Sequence, residues 1–213
     1  MDLLLRRPHR FWHVLCIAGC LITTVASAQL PPVPGSRMHK RAYLSAVQAI
    51  WGLNYPAWLA AQVEAESLWI DKRVSSANAQ GICQFIPPTA EGLEKVYLDL
   101  AKMARYSPYW CYYAQSLLMR DLYDSFLAKD RTQCDTLKFA TAGYNGSPAT
   151  LRREMAICAE DPKCDPNKWE LNVGTKSDRR PEHFLESRTY VRRIGRRESV
   201  YTQDGWGKGV CLK

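Results

Sequence analysis

Histidine is scarce in this chain, with four in 213 residues, and two of them fall within the first 28. Only His39 and His183 remain beyond that segment. No Cys/His spacing suits zinc, and Asp161 and Asp165 sit in a Pro-containing loop without calcium-loop spacing, so no metal and no cofactor is expected. Strand-type alternation is nearly absent, as are internal repeats, which excludes all-β architectures and solenoids. An RNA-binding aromatic motif is missing too, so nucleic acid is not an expected partner. The one apolar run, Phe11 to Val25, is interrupted by His13 and is too short for a bilayer-spanning helix.

What is present points outward from the cytoplasm. Arg6, Arg7 and Arg10 precede the apolar run, and Ala26-Ser27-Ala28 follows it as a small-residue cleavage pattern, so residues 1–28 read as an export signal. Two alternatives stay open: an uncleaved anchor, and lipidation at Cys20 within Ile17-Ala18-Gly19-Cys20, against which the apolar Leu21 to Val25 argues. The expected location is the periplasm, free or membrane-anchored. Loss of the signal removes three Arg and one Asp, so the formal charge of +8 becomes +6. A basic surface suits a polyanionic partner, including a wall polymer that carries carboxylates.

Eight cysteines fall to six once Cys16 and Cys20 are removed. Six in an exported chain suggest disulfides, with fifteen pairings open. Cys158 and Cys164 flank a loop suited to stapling. Cys111 and Cys134 bracket a helix and could tie its ends to neighbours. By elimination alone Cys83 would meet Cys211, and the competing reading makes Cys83 a reduced, buried small apolar residue.

Residues 29–40, with Pro31, Pro32, Pro34 and Gly35, read as a linker, 41–200 as one helical domain and 201–213 as a tail. Helical periodicity predicts elements near 43–51, 56–70, 89–100, 109–128, 135–144, 149–159 and 185–194. A minor β-hairpin or loop element is expected near 72–82, where Gly81 breaks a polar stretch. On the second helix, Leu59, Val63 and Ile70 fall within about 60° of Glu66, and Glu64 lies about 160° away. Glu66 therefore faces the core or a cleft and Glu64 faces water. An acid on an apolar face is either half of a buried ion pair or a carboxyl raised in pKa for acid chemistry.

Four blocks, in order, carry a family likeness: Glu66-Ser67; Ser75 through Gly81-Ile82-Cys83-Gln84 and on into Phe85-Ile86-Pro87-Pro88-Thr89-Ala90; Tyr144-Asn145-Gly146; and Glu186-Ser187-Arg188-Thr189-Tyr190-Val191. With them, over about 41–195, the chain resembles the soluble lytic transglycosylase-like family, whose catalytic domain has a lysozyme-like fold. The resemblance implies a mainly α (α+β, lysozyme-like) single domain, with Glu66 as sole acid/base and Tyr144 orienting it or the substrate. Ser75 and Gln84 would hydrogen-bond the glycan, Asn145 would hold the turn beside an acetamido group, and Glu186 with Tyr190 would line the groove. It implies cleavage between N-acetylmuramic acid and N-acetylglucosamine in peptidoglycan, leaving a 1,6-anhydro end. A hydrolase with the same acid, and an idle wall-binding accessory, are the competing readings. A monomer is expected, with a secretion or conjugation complex as partner by analogy.

Three departures from the family pattern stand out. Asn78 replaces Gly, which a left-handed turn tolerates. Cys83 replaces Met beside the glutamine, and Gly143 stands where Ala is usual. Of the seven Trp and eleven Tyr, some would floor a sugar groove and most would be core.

Overall fold

The computed structural model describes residues 30–52 and 54–212. Among these residues the fold is mainly α, built from seven helices: α1 (Pro34–Trp51), α2 (Pro56–Ser67), α3 (Pro87–Val96), α4 (Pro108–Ser125), α5 (Gln133–Asn145), α6 (Pro148–Ala159) and α7 (Pro181–Gln203). Six of the seven begin with proline in the first turn. The proline ring presets a helical φ, and its missing N–H would have had no intrahelical acceptor there. The exception, α5, is capped by Thr132, whose side chain accepts from the Asp135 amide. Ser107 and Ser147 cap α4 and α6 in the same way.

Helix α2 is the axis of the molecule. Every residue from Pro56 to Glu64 is buried, because α7 lies along one side and other helices close the rest. Trp58 on α2 is fully buried, donates from Nε1 to Thr141 Oγ1 of α5 at 2.9 Å, and packs near Gly195 of α7. Helix α1 packs on α4 through polar as well as apolar contacts. Tyr43 donates to Gln115 Oε1 at 2.6 Å and Trp51 Nε1 to the Ser116 carbonyl at 2.9 Å. The only β pairing among the described residues is a pair of isolated bridges, Val74 with Gln80 and Gln80 with Phe85, where the minor β element was expected.

Several expectations are corrected. The stretch read as a linker is helical from Pro34, and His39 within it is buried against Trp69 and Tyr112. Helix α7 runs on past 194 to Gln203, because a buried stripe of Val191, Ile194, Glu198 and Tyr201 continues along it behind its many arginines. The expected tail is packed as well, with Trp206 1 % exposed and Cys211 bonded to Cys134. Cys158 bonds Cys164, as the loop between them suggested. Cys83 does not meet Cys211; it is reduced and buried, as is Cys111.

The most instructive correction concerns Glu64, which does not face water. It is 5 % exposed and accepts from Arg197 Nη2 at 2.9 Å and from the Tyr201 hydroxyl at 2.8 Å. A helix surrounded on all sides has no solvent face, so the angle between Glu64 and Glu66 separates two protein environments. The six tryptophans among the described residues are likewise all buried, so none floors a groove. The proposed signal segment lies outside the described residues. Among the described residues no helix is long and apolar enough to cross a membrane.

Candidate active site

Glu66 sits in the last turn of α2, where the buried helix emerges at a rim. The residue is half-buried, but its carboxyl group is enclosed. Burial is the main cause that raises its pKa from 4.5 to about 7. Three groups pull the other way: the Tyr190 hydroxyl by hydrogen bonding, then the Arg193 and Arg73 guanidinium charges. No second carboxylate is among the groups that act on it. Tyr190 reaches across from α7 and donates to Glu66 Oε1. A carboxyl held this way by one oxygen keeps Oε2 available to carry a proton.

Tyr144 ends α5 next to Glu66 but does not bond it. Its hydroxyl donates to the Cys83 carbonyl at 2.8 Å. Burial first, then the charges of Cys83 and Glu66, push this phenol up. Of the two phenols, Tyr190's hydroxyl is thus the one bonded to Glu66, and Tyr144's is bonded to the loop that carries Gln84.

That loop is held tightly. Gln84 adopts φ 51° and Asn78 φ 60°, both left-handed, so Asn78 does meet the backbone demand that glycine would. Gln84 Nε2 donates to the carbonyls of Gly81 at 2.8 Å and Arg73 at 3.1 Å, which leaves its Oε1 for a ligand. Ser75 Oγ accepts from the Ala79 amide at 3.0 Å, and the Ser75 amide donates to the Ala79 carbonyl at 2.9 Å. Ser75 thus closes its own turn. Gly81 has φ +74°, and a Cβ there would lie 2.8 Å from Cys111 Sγ.

Beside Tyr190 opens a cavity of about 520 Å³ lined by Asn145, Glu182, Leu185, Glu186, Thr189, Tyr190 and Arg193. It brings together Asn145, Glu186 and Tyr190 from two separate sequence blocks. Ser75 and Gln84 lie on the loop instead and do not line it. A larger apolar cavity of about 760 Å³, lined by Ile50, Val96, Leu98 and Leu117 among others, contains none of these residues. Ser187 and Arg188 within the fourth block are both buried. Arg188 is buried and donates from Nη2 to Glu154 Oε2 at 2.7 Å.

Arg73 and Arg193 were not singled out by sequence reasoning. Arg193 lies three residues after Tyr190, one turn on along α7, and that spacing was the signal available. Among the described residues no group of three or more His, Cys, Asp or Glu is arranged to hold a metal.

Comparison with known proteins bears on the family and the fold. The model for the transglycosylase SLT domain matches residues 51–163, which include Glu66, Gln84 and Tyr144 but not Glu186 or Tyr190. Among solved structures, the 70 kDa soluble lytic transglycosylase of Escherichia coli superposes with a TM-score of 0.54 at 19% identity, over 80% of this chain. The match spans about a quarter of that longer chain (26%). No curated protein matches the sequence. The mainly α, lysozyme-like fold is common to both, and with more than half its length matched by the domain model, the chain belongs to the transglycosylase SLT domain family.

Proposed function

We propose that this protein is an exported lytic transglycosylase that cleaves the β-1,4 bond between N-acetylmuramic acid and N-acetylglucosamine in peptidoglycan, using Glu66 alone as acid and base. The observation that carries the proposal is the Glu66 carboxyl itself: raised to about 7, held on one oxygen by Tyr190, and without a second acid among the groups acting on it.

One carboxyl suffices when the substrate supplies the nucleophile. The carbonyl oxygen of the 2-acetamido group attacks the anomeric carbon while Glu66 Oε2 protonates the departing glycosidic oxygen. The result is an oxazolinium ion and an ionised Glu66. Glu66 then takes the proton of the C6 hydroxyl of the same muramic acid. The freed oxygen attacks the anomeric carbon, closes the 1,6-anhydro ring and expels the acetamido oxygen. Glu66 ends protonated, and no water is consumed. Both attacks are intramolecular, which gives them high effective molarity. A pKa near 7 suits a group that must give a proton in one step and take one in the next.

In this reading Asn145, Glu186 and Tyr190 face the bound glycan along the α7 cavity, Gln84 offers Oε1 to it, and Tyr144 and Ser75 hold the loop. Residues 1–28 direct the chain to the periplasm, and the protein acts there as a monomer. A one-domain cutter fits the task of opening a local gap for a secretion or conjugation assembly.

The test is digestion of purified peptidoglycan by the exported protein and by Glu66→Gln, with mass analysis of the released muropeptides. Products about 18 Da lighter than hydrolytic ones, absent with the variant, are expected. Reducing-end products would make the protein a hydrolase. No products from folded wild type would leave it a wall-binding accessory.

A further inference from the structure

Cys83 and Cys111 are both fully buried and reduced, and they touch. The Cys83 thiol donates to the Cys111 carbonyl at 3.3 Å, which places its sulfur against the backbone of Cys111. Cys111 Sγ is pressed against the turn at Gly81, the one position in the loop with neither side chain nor room for one. The mutual contact perturbs both titrations. It lowers Cys111, whereas burial first, and Cys111 second, raise Cys83.

We propose that Cys83 and Cys111 form a third disulfide in the exported protein, tying the site loop to the first turn of α4. The four other described cysteines are already paired, as Cys134–Cys211 and Cys158–Cys164. Cys83 Sγ already lies 3.3 Å from the Cys111 backbone, so rotation of the two side chains is the movement that a bond of roughly 2.05 Å requires. A reduced pair would leave two thiols, each a weak hydrogen-bonding group, buried side by side in a compartment where thiols oxidise.

The chemistry needs an external disulfide, as carried by a thiol–disulfide exchange protein. One cysteine thiolate attacks that disulfide and releases one thiolate. The second cysteine attacks the mixed disulfide and releases the other. Two cysteine thiols lose two protons and two electrons, and the oxidant leaves as two thiols. Neither cysteine faces solvent in the fold, so the exchange takes place before the loop closes over α4.

The consequence falls on the site. The Cys83 carbonyl accepts from Tyr144, and Gln84 is the next residue. A bond at Cys83 holds both against movement of the loop. The inference depends on the export part of the proposed function and not on its catalytic part.

Peptide mapping tests it. The full chain is produced by export, unfolded in guanidinium with iodoacetamide and without reductant, digested, and its peptides weighed. The Cys83 and Cys111 peptides are expected joined, about 2 Da lighter than the two reduced peptides together. Alkylation of both, with the other two bonds intact, overturns the pairing. Alkylation of all six overturns the pairing and the export reading together. Muropeptide release by the same preparation reports on catalysis separately. In Cys111→Ser, amide exchange across 79–85 is expected to rise on the order of tenfold. Unchanged exchange would sink the claim that the bond restrains the loop, and the mapping stands even if that variant does not fold.

Discussion

Tyr190 and Glu66, 124 residues apart in sequence, are joined by a hydrogen bond from the phenol to carboxyl oxygen Oε1 at the end of α2. The bond favours the ionised carboxylate, against the larger effect of burial. In the proposed mechanism Glu66 is protonated when the first bond breaks, so turnover should fall as pH rises through about 7. In Tyr190→Phe the ionised form loses its donor and this limb moves to higher pH. The plateau drops on the order of tenfold as the carboxyl loses orientation. Arg193→Ala moves the limb in the same direction, because it removes a positive charge that favours ionisation. A pH–rate profile of muropeptide release checks both. A limb that shifts downward in either variant would place another group in control of it.

The same raised pKa has a cost in stability. A carboxyl at about 7 in the fold and 4.5 when unfolded binds its proton more tightly in the folded state. Its contribution is present below pH 4.5 and is lost as pH rises through 7. Glu66→Gln retains an oxygen for Tyr190 and carries no charge. The variant should be inactive yet more stable than wild type at pH 8, on the order of 1–2 kcal/mol once partial exposure at the rim is discounted. The gain should vanish near pH 4. Thermal melts at the two pH values read it directly.

The legible parts of this molecule were those where one local cause dominates. Prolines at helix starts, as at Pro56 and Pro87, announce themselves, because each fills a geometric need within the first turn. The order of the four blocks carried the family. Less legible was anything set by tertiary surroundings. Glu64 reads as solvent-facing on a helical wheel, but α7 delivers Arg197 and Tyr201 to it from more than 130 residues away. The likeness set Tyr144 beside Glu66 and Tyr190 along the groove, but which phenol bonds Glu66 depends on how α5 and α7 approach the end of α2. Ser75 and Gln84 bear side chains fit for a ligand, yet the loop's own backbone claims much of their capacity, and only coordinates display that competition.

Gly81 is held by two independent requirements. Its φ of +74° disfavours any side chain, and a Cβ would meet Cys111 Sγ at 2.8 Å and the Tyr106 carbonyl at 3.1 Å. Gly81→Ala should therefore destabilise the fold by about 1–3 kcal/mol, the sum of backbone strain and overpacking. It should also depress turnover more than the stability loss explains, because the displaced segment carries Gln84 and the Cys83 carbonyl that holds Tyr144. Urea denaturation together with activity per folded molecule separates the two effects. A stable variant with normal turnover would mean that the loop tolerates a shift at this point.

Glu64 offers the contrasting case of a buried acid two residues from Glu66 with a structural task. It is the acceptor of a chain in which Trp69 Nε1 donates to the Tyr201 hydroxyl at 2.8 Å and Tyr201 donates to Glu64. Arg197 completes its charge balance. Truncating one partner of such a pair leaves the other charge buried and uncompensated, so Glu64→Leu should cost about 3–5 kcal/mol. Removing both charges in Glu64→Leu/Arg197→Leu should cost less than the single change, since no uncompensated arginine is then left at the buried site. What remains is the Tyr201 hydroxyl, which still accepts from Trp69 but loses its own acceptor, a deficit of about 1–3 kcal/mol. The expected order of urea midpoints is wild type, then double variant, then Glu64→Leu. Turnover per folded molecule should stay within about twofold of wild type in both variants, because these bonds run along the α2–α7 seam and none reaches the Glu66 carboxyl. A double variant less stable than the single would show that Arg197 is better hydrated in the absence of Glu64 than its burial implies.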